Sequence, residues 1–361
     1  MSTKLAEKSY FALGLMSGTS LDGLDIAYSH FTFKNGEWTF KLLSSKSISY
    51  TSVFKNKLRD TVSMTGLELV EFDVELGKFF ADELVRFIDE KQITEIDVIG
   101  SHGHTVFHQP EKGFTLQIGD ASWIHKKTKK TVVADFRSQD VVLGGQGAPL
   151  VPIGDKLLFS DYDYRINLGG FANISFEYGD GTSAFDVCAV NTIFNKYANE
   201  LGFEYDDKGD IAKSGNVINE LLSELEEIDF YKQTPPKSLG VEWNEKVLLP
   251  ILNKFIAKGI KDVMHTYALH VVSQLSKVLK GERKRVLISG GGAFNDYLIS
   301  LIKEKTSHEI IIENIDITNF KEALIFSFLA VLKIEGEINC LAEVTGASMN
   351  HSSGVVYDFM L

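Results

Sequence analysis

From residue 10 onward the chain switches between two periods of apolar residues, and each switch predicts an element. Residues 10–15 form a short apolar run. Residues 22–33 and 37–50 read as two further strands, and Asn35-Gly36 between them is a strong hairpin signal. Over 67–91 the pattern changes: Leu69, Phe72, Leu76, Phe79, Phe80, Leu84, Phe87 and Ile88 recur at helical spacing. Short apolar strands follow at 96–100 and 131–134, with a helix expected between them over 121–127.

The second half opens the same way. Residues 164–168 read as a strand, Gly169-Gly170 as a turn, and 172–178 as a second strand closed by Gly179-Asp180-Gly181, before a helix over 190–201. Much later a strand at 285–289 runs into Gly290-Gly291-Gly292 and a helix over 296–303, and 321–332 reads as a buried helix. Glycine-turned antiparallel strands followed by helix–strand alternation imply parallel pairing with helical crossovers. The expected fold is therefore α/β, with two similar halves facing each other across a cleft.

Composition narrows the class. With 361 residues the chain has room for two domains, and 44% hydrophobic with 24% charged residues is ordinary for a globular protein. A net charge of −12 argues against a nucleic-acid surface, which needs a basic stripe. The one basic cluster, residues 126–130, reads as a solvated helix end. Cys188 and Cys340 stand far apart, which excludes a disulfide framework and fits a reducing compartment. Residues 1–8 show no apolar signal region, and the longest uncharged runs, such as the 14 residues 141–154, are too short to span a membrane. The expected location is the cytoplasm, with no membrane partner.

Residues 14–25 (Gly-Leu-Met-Ser-Gly-Thr-Ser-Leu-Asp-Gly-Leu-Asp) follow the first strand. Such a loop can offer backbone N–H groups and the hydroxyls of Ser17, Thr19 and Ser20 to a phosphate chain. Asp22 and Asp25 are hard oxygen ligands of the kind Mg²⁺ prefers. It is neither a Walker A loop nor a dinucleotide fingerprint, and a plain hairpin turn would use the same residue types. Two further glycine turns, Gly169-Gly170 and Gly290-Gly291-Gly292 with Asn295, also follow strands. Together the three fit a nucleotide clamped between two domains.

Asp186 ends a short apolar strand just before a helix, so it reads either as an N-cap or as a general base. His102, His104 and His108 raise the question of zinc, but no CxxC or His/Glu helix pair completes a four-ligand site. His102 reads as positioning a polar substrate and His108 as a surface residue. Arg137 could grip a carboxylate through its planar fork or pair with Asp135 or Asp140.

These segments resemble the anhydro-N-acetylmuramic acid kinases, bacterial members of the actin/hexokinase/Hsp70 ATPase superfamily. The matching strings run in order along nearly the whole chain: residues 16–25, 100–105, 117–119, 133–137, 144–152, 167–170 and 173–175. Asp186 with Asn191, residues 236–238 and 290–295, and Glu322-Ala323 complete them. The resemblance implies two actin-like, ribonuclease H-like domains flanking a nucleotide cleft, over residues 1–135 and 136–361, with the C-terminal segment able to cross back. It implies ATP and Mg²⁺ as cofactors, an amino-sugar substrate, and a homodimer.

The implied reaction phosphorylates O6 of 1,6-anhydro-N-acetylmuramic acid while water opens the anhydro bridge, in cell-wall (murein) recycling. By resemblance Asp186 is the base for that water and Glu322 a carboxylate near the substrate. Gly18, Thr19, Ser20, Leu21, Asp22, Gly169, Gly170, Gly290, Gly291, Gly292 and Asn295 would bind ATP, with Asp22 on Mg²⁺. His102, Arg137 and Asn173 would contact the sugar. Two departures stand out: Cys188-Ala189 where the family commonly has Gly-Pro, and His104 where it usually has glutamine. An ordinary N-acetylhexosamine kinase is the alternative enzyme reading. An Hsp70-like ATPase module would need a substrate-binding extension, and none is read here.

Overall fold

The structure is a computed structural model that describes residues 7–18, 21, 23–179, 181–235 and 237–358. The chain forms two compact units, Met1–Leu158 with Phe320–Leu361, and Phe159–Asn319.

In the first unit β1 (Lys8–Ser17), β2 (Gly23–Lys34) and β3 (Glu37–Ser49) form an antiparallel meander. Asn35 and Gly36 turn the β2–β3 hairpin with φ of 56° and 92°, the left-handed values that a two-residue hairpin turn requires. β4 (Val98–Gln109) then joins β1 in parallel, β5 (Phe114–Ile118) folds back on β4, and β6 (Val132–Ala134) pairs in parallel with β4. Between β3 and β4 lies the Gly66–Glu90 helix, started by a capping box between Thr65 and Glu68. Its apolar positions Phe72, Leu76, Phe80, Leu84 and Phe87 are buried. Side chains of this size contribute about 1.5–3 kcal/mol each when fully buried.

The Ile315–Ile334 helix packs against β1 and β4 backbone to backbone. A Cβ on Gly14 would come within 1.9 Å of the Ala323 carbonyl oxygen, and one on Gly100 within 2.2 Å of the Phe326 oxygen. The sequence reading counts Gly14 in the phosphate-facing loop of residues 14–25; in the structure it lies inside β1 with a helix against it.

The second unit repeats the scheme. β7 (Tyr164–Leu168), β8 (Phe171–Tyr178) and β9 (Gly181–Ala189) are an antiparallel meander, and β10 (Arg285–Ser289) and β11 (Glu309–Ile312) extend it in parallel from β7. The orders β3-β2-β1-β4-β6 and β9-β8-β7-β10-β11 are the same arrangement, third-second-first-fourth-fifth. This is the ribonuclease H-like order on which actin-like ATPases are built. In the first unit β12 (Val355–Tyr357) adds an antiparallel edge strand beyond β6. The core of the second unit packs Ile166, Ile174, Val187 and Ile288 against the Ile260–Val278 helix residues Val263, Tyr267 and Val271. No helix among the described residues is long and apolar enough to cross a membrane.

Candidate active site

Each unit assembles polar side chains at the ends of its central strands. In the first, β1 ends at Ser17, whose hydroxyl lies 2.6 Å from the Tyr50 hydroxyl and 3.0 Å from His104 Nδ1, all three buried. Beyond it the Leu21 N–H donates to the Gly18 carbonyl at 3.3 Å, and Leu21 has φ 61°. At the start of β2, a Cβ on Gly23 would meet the Ile48 carbonyl at 2.3 Å. Thr19, Ser20 and Asp22 lie outside the described residues.

His102 Nδ1–H donates to the Gly103 carbonyl at 2.9 Å, so Nε2 keeps its lone pair and accepts Arg137 Nε–H and Nη2–H at 3.0 and 2.9 Å. Arg137 Nη1 also donates to the Gly147 carbonyl at 2.6 Å. Burial, with the adjacent Arg137 charge, holds the His102 pKa well below 6.5, and burial pushes His104 down to about 4. Gly103, at φ 74°, bends β4 between them, and the two rings have different partners, Arg137 for His102 and Ser17 for His104. Neither Asp135 nor Asp140 forms a hydrogen-bonded pair with Arg137. The Glu322 carboxyl is raised by burial, with Asp25 and Asp155 pushing the same way and Arg137 and Lys321 opposing.

In the second unit Asn167, Asn173 and Asp186 stand directly opposite one another across β7, β8 and β9. Cross-strand neighbours of this kind share a face. The register shifts beside them, leaving Val187 as an extra residue between Asp186 and Cys188, and such a bulge re-aims the side chains next to it. Asp186 therefore sits within a strand. The following helix, Asn191–Glu200, has Val190 at its N-cap, so the capping reading of Asp186 does not hold. Asp186 Oδ2 accepts the Leu239 N–H at 2.8 Å, and its own N–H donates to the Lys237 carbonyl. The side chain is only partly exposed. Desolvation outweighs the Leu239 bond and raises its pKa from 3.8 to about 6.

The glycine turns have packing reasons of unequal strength. The Gly169 and Gly170 carbonyls accept N–H groups from the first turn of the Asn191–Glu200 helix. Gly290 has φ 81°, and a Cβ there would strike Asn167 Oδ1 at 2.3 Å; on Gly292 it would strike Leu168 Cβ at 2.7 Å. A Cβ on Gly291 would meet nothing closer than 3.6 Å. Asn295 Oδ1 caps the Asp296–Lys305 helix through the Leu298 N–H at 2.8 Å.

A family profile described as anhydro-N-acetylmuramic acid kinase matches residues 10–359. The chain belongs to the anhydro-N-acetylmuramic acid kinase family. Curated members from Sulfurimonas denitrificans, Mannheimia succiniciproducens and Aliivibrio fischeri are 32%, 35% and 34% identical to it. The alignments cover 97%, 97% and 96% of this chain and 100%, 99% and 98% of those proteins. This family member keeps its candidate residues in two sets, His102, Arg137 and Glu322 in one unit, and Asn173, Asp186 and the glycine turns in the other.

Sequence reasoning missed Tyr50 and Leu239, since a tyrosine at a strand end and a leucine offering its backbone carry no motif. Lys237 lay inside a matching string, yet only the fold shows that its carbonyl holds the Asp186 backbone. Of the two departures from the family pattern, Cys188 is fully buried. The neighbouring Ala189 carbonyl accepts the Tyr267 hydroxyl at 2.8 Å. His104 stands on Ser17.

Proposed function

We propose that the protein phosphorylates 1,6-anhydro-N-acetylmuramic acid at O6 with ATP while water opens the anhydro bridge, giving N-acetylmuramic acid 6-phosphate in murein recycling. The observation that carries this reading is Asp186: a desolvated, partly accessible carboxylate whose pKa of about 6 makes it more basic than an ordinary aspartate. It is still about nine-tenths ionised at pH 7, as a general base must be. Water attacks C1 and gives a proton to Asp186, the C1–O6 bond breaks, O6 attacks the γ-phosphorus, and the bond from that phosphorus to the bridging oxygen breaks, so that ADP leaves with the electron pair. Leu239 N–H fixes Oδ2, leaving Oδ1 to take the water.

Asn173, beside Asp186, and Arg137 contact the sugar. His102, with both ring nitrogens engaged, aims Arg137. Gly18, Thr19, Ser20 and Leu21 receive the ATP phosphates, and Gly169, Gly170, Gly290, Gly291, Gly292 and Asn295 form the second nucleotide-facing set. The like charges of Asp25 and Glu322 are close enough to raise the Glu322 carboxyl, and such hard oxygens suit Mg²⁺. Asp22 and Asp25 would hold the ion, which when bound neutralises charge on the transferring phosphates. The enzyme acts as a homodimer in the cytoplasm, as the family resemblance implies.

Turnover in ¹⁸O-labelled water, read by mass spectrometry, tests the reading. The anhydro substrate gains phosphate plus one labelled oxygen at C1. Phosphate gain without label, or turnover of N-acetylhexosamines alone, rejects the coupled hydrolysis in favour of an ordinary sugar kinase.

A further inference from the structure

Asp140, Cys340 and His351 meet in the interior of the first unit, apart from the residues assigned above. Their ligand atoms all lie within 4.8 Å of one another, and all three residues are buried. Cys340 and His351 face each other on a two-residue antiparallel bridge, each N–H donating to the other's carbonyl. That pairing puts both side chains on one side of the bridge, above the short Ser138–Val142 helix that carries Asp140. Gly145 lets the following loop wrap the carboxylate, because a Cβ there would come within 2.2 Å of Asp140 Oδ2.

The hydrogen bonds leave one lone pair unused. His351 Nδ1 lies 3.1 Å from the Met349 carbonyl, so Nδ1 carries a proton, and in the neutral ring the lone pair is on Nε2. Nε2 is 3.7 Å from Asp140 Oδ1 and has no hydrogen-bond partner among the described residues, in a side chain only 6% exposed. A second ring nitrogen bonded to a backbone carbonyl is the arrangement that orients metal-binding histidines. Cys340 Sγ is 3.1 Å from the same oxygen. Four-coordinate zinc, with bonds of about 2.0–2.3 Å, spaces neighbouring ligand atoms by about 3.3–3.7 Å; the nitrogen–oxygen separation already has that value, and the sulfur–oxygen one must open slightly.

We propose that Asp140, Cys340 and His351 supply three protein ligands of a Zn²⁺ site whose fourth position is left to water. Binding displaces the Cys340 thiol proton to solvent and leaves a carboxylate, a thiolate, a neutral imidazole and the dication, a set with no net charge in a buried place. Nitrogen and sulfur donors select zinc over Mg²⁺ or Ca²⁺. The ion would tie the 339–353 segment to the loop whose Gly147 N–H donates to Asp140 Oδ2 and whose Gly147 carbonyl receives Arg137.

The test uses the full chain, reduced and stripped with chelator, then titrated with Co²⁺ and Zn²⁺. One equivalent of Co²⁺ should give a thiolate-to-metal charge-transfer band that Zn²⁺ abolishes. The band should persist in Cys188→Ser and vanish in Cys340→Ser, and Zn²⁺ should raise the melting temperature of the wild type but not of His351→Gln. A wild-type protein that shows no thiolate band, or a band that survives Cys340→Ser, overturns the site. Should Cys340→Ser fail to fold, the wild-type titration and His351→Gln decide the matter, since undiminished cobalt binding in that variant also rejects it.

Discussion

Replacing Asp186 by asparagine should stabilise the protein while abolishing turnover. Burial raises this carboxyl from 3.8 to about 6, so the folded state holds the charged form at a cost of about 3 kcal/mol above pH 6. Asparagine removes the charge and can still accept the Leu239 N–H, losing about 1 kcal/mol of charge assistance. The expected net gain is about 1–3 kcal/mol at about pH 7.5. The sign with pH is fixed by proton counts. Between 3.8 and about 6 the folded wild type binds more protons at Asp186 than the unfolded chain, so wild-type stability falls as pH rises through that window. The gap between variant and wild type should therefore open with pH, shrinking by about 2 kcal/mol on going from about pH 7.5 to about pH 4.5. Contributions from other titrating groups cancel in the comparison. Urea unfolding of both proteins at the two pH values measures it, and kcat/KM of the wild type should fall below about pH 6. A variant less stable than wild type at pH 7.5, or a gap independent of pH, would refute the desolvated-carboxylate account. Substantial residual turnover would refute the base assignment.

Two glycine substitutions should separate packing from conformation: Gly14→Ala, facing the Ala323 carbonyl at 1.9 Å, should cost about 3 kcal/mol or more. Gly36→Ala, at φ 92° with open space around it, should cost only about 1 kcal/mol, both read by thermal unfolding. Lys321 and Asp155 pair at 2.6 Å with side chains 6% exposed. Lys321→Met should therefore lose about 3–5 kcal/mol in urea, and the double change Lys321→Met with Asp155→Leu should recover most of it. The depressed pKa values of His102 and His104 predict two imidazoles that do not titrate by NMR between about pH 5.5 and 8. The stabilising contribution of a neutral His104 is fully present above 6.5 and is lost as pH falls toward about 4, so wild type should lose ground to His104→Gln over that interval.

The meanders of both units were legible because period and turn chemistry agree: Asn35-Gly36 is a hairpin in sequence and in φ, and Gly169-Gly170 turns β7 into β8. Asp186 was legible as a residue and illegible as a geometry. Whether it caps a helix or stands in a strand depends on one extra residue, Val187, and on where Val190 starts the helix. Arg137 found its partners in His102 and the Gly147 carbonyl rather than in the nearby acids of its own segment, because a planar fork is placed by the fold and not by sequence neighbours. Nothing local joins Asp140 to Cys340, which are 200 residues apart. Only the return of the C-terminal segment to the first unit brings them together.

The helix that carries Glu322 is located by what two strands lack. Its carbonyls at Ala323 and Phe326 rest where the side chains of residues 14 and 100 would begin, so its depth is fixed by main chain against main chain. Its buried side chains then pack around a seat that main-chain contacts already define. One added methyl at either strand would lift the helix, and Glu322 would ride with it. The tolerance of this protein to sequence drift should therefore be lopsided: apolar exchanges of similar volume on the buried face of the helix are accommodated, whereas almost nothing is at two positions that have no side chain at all.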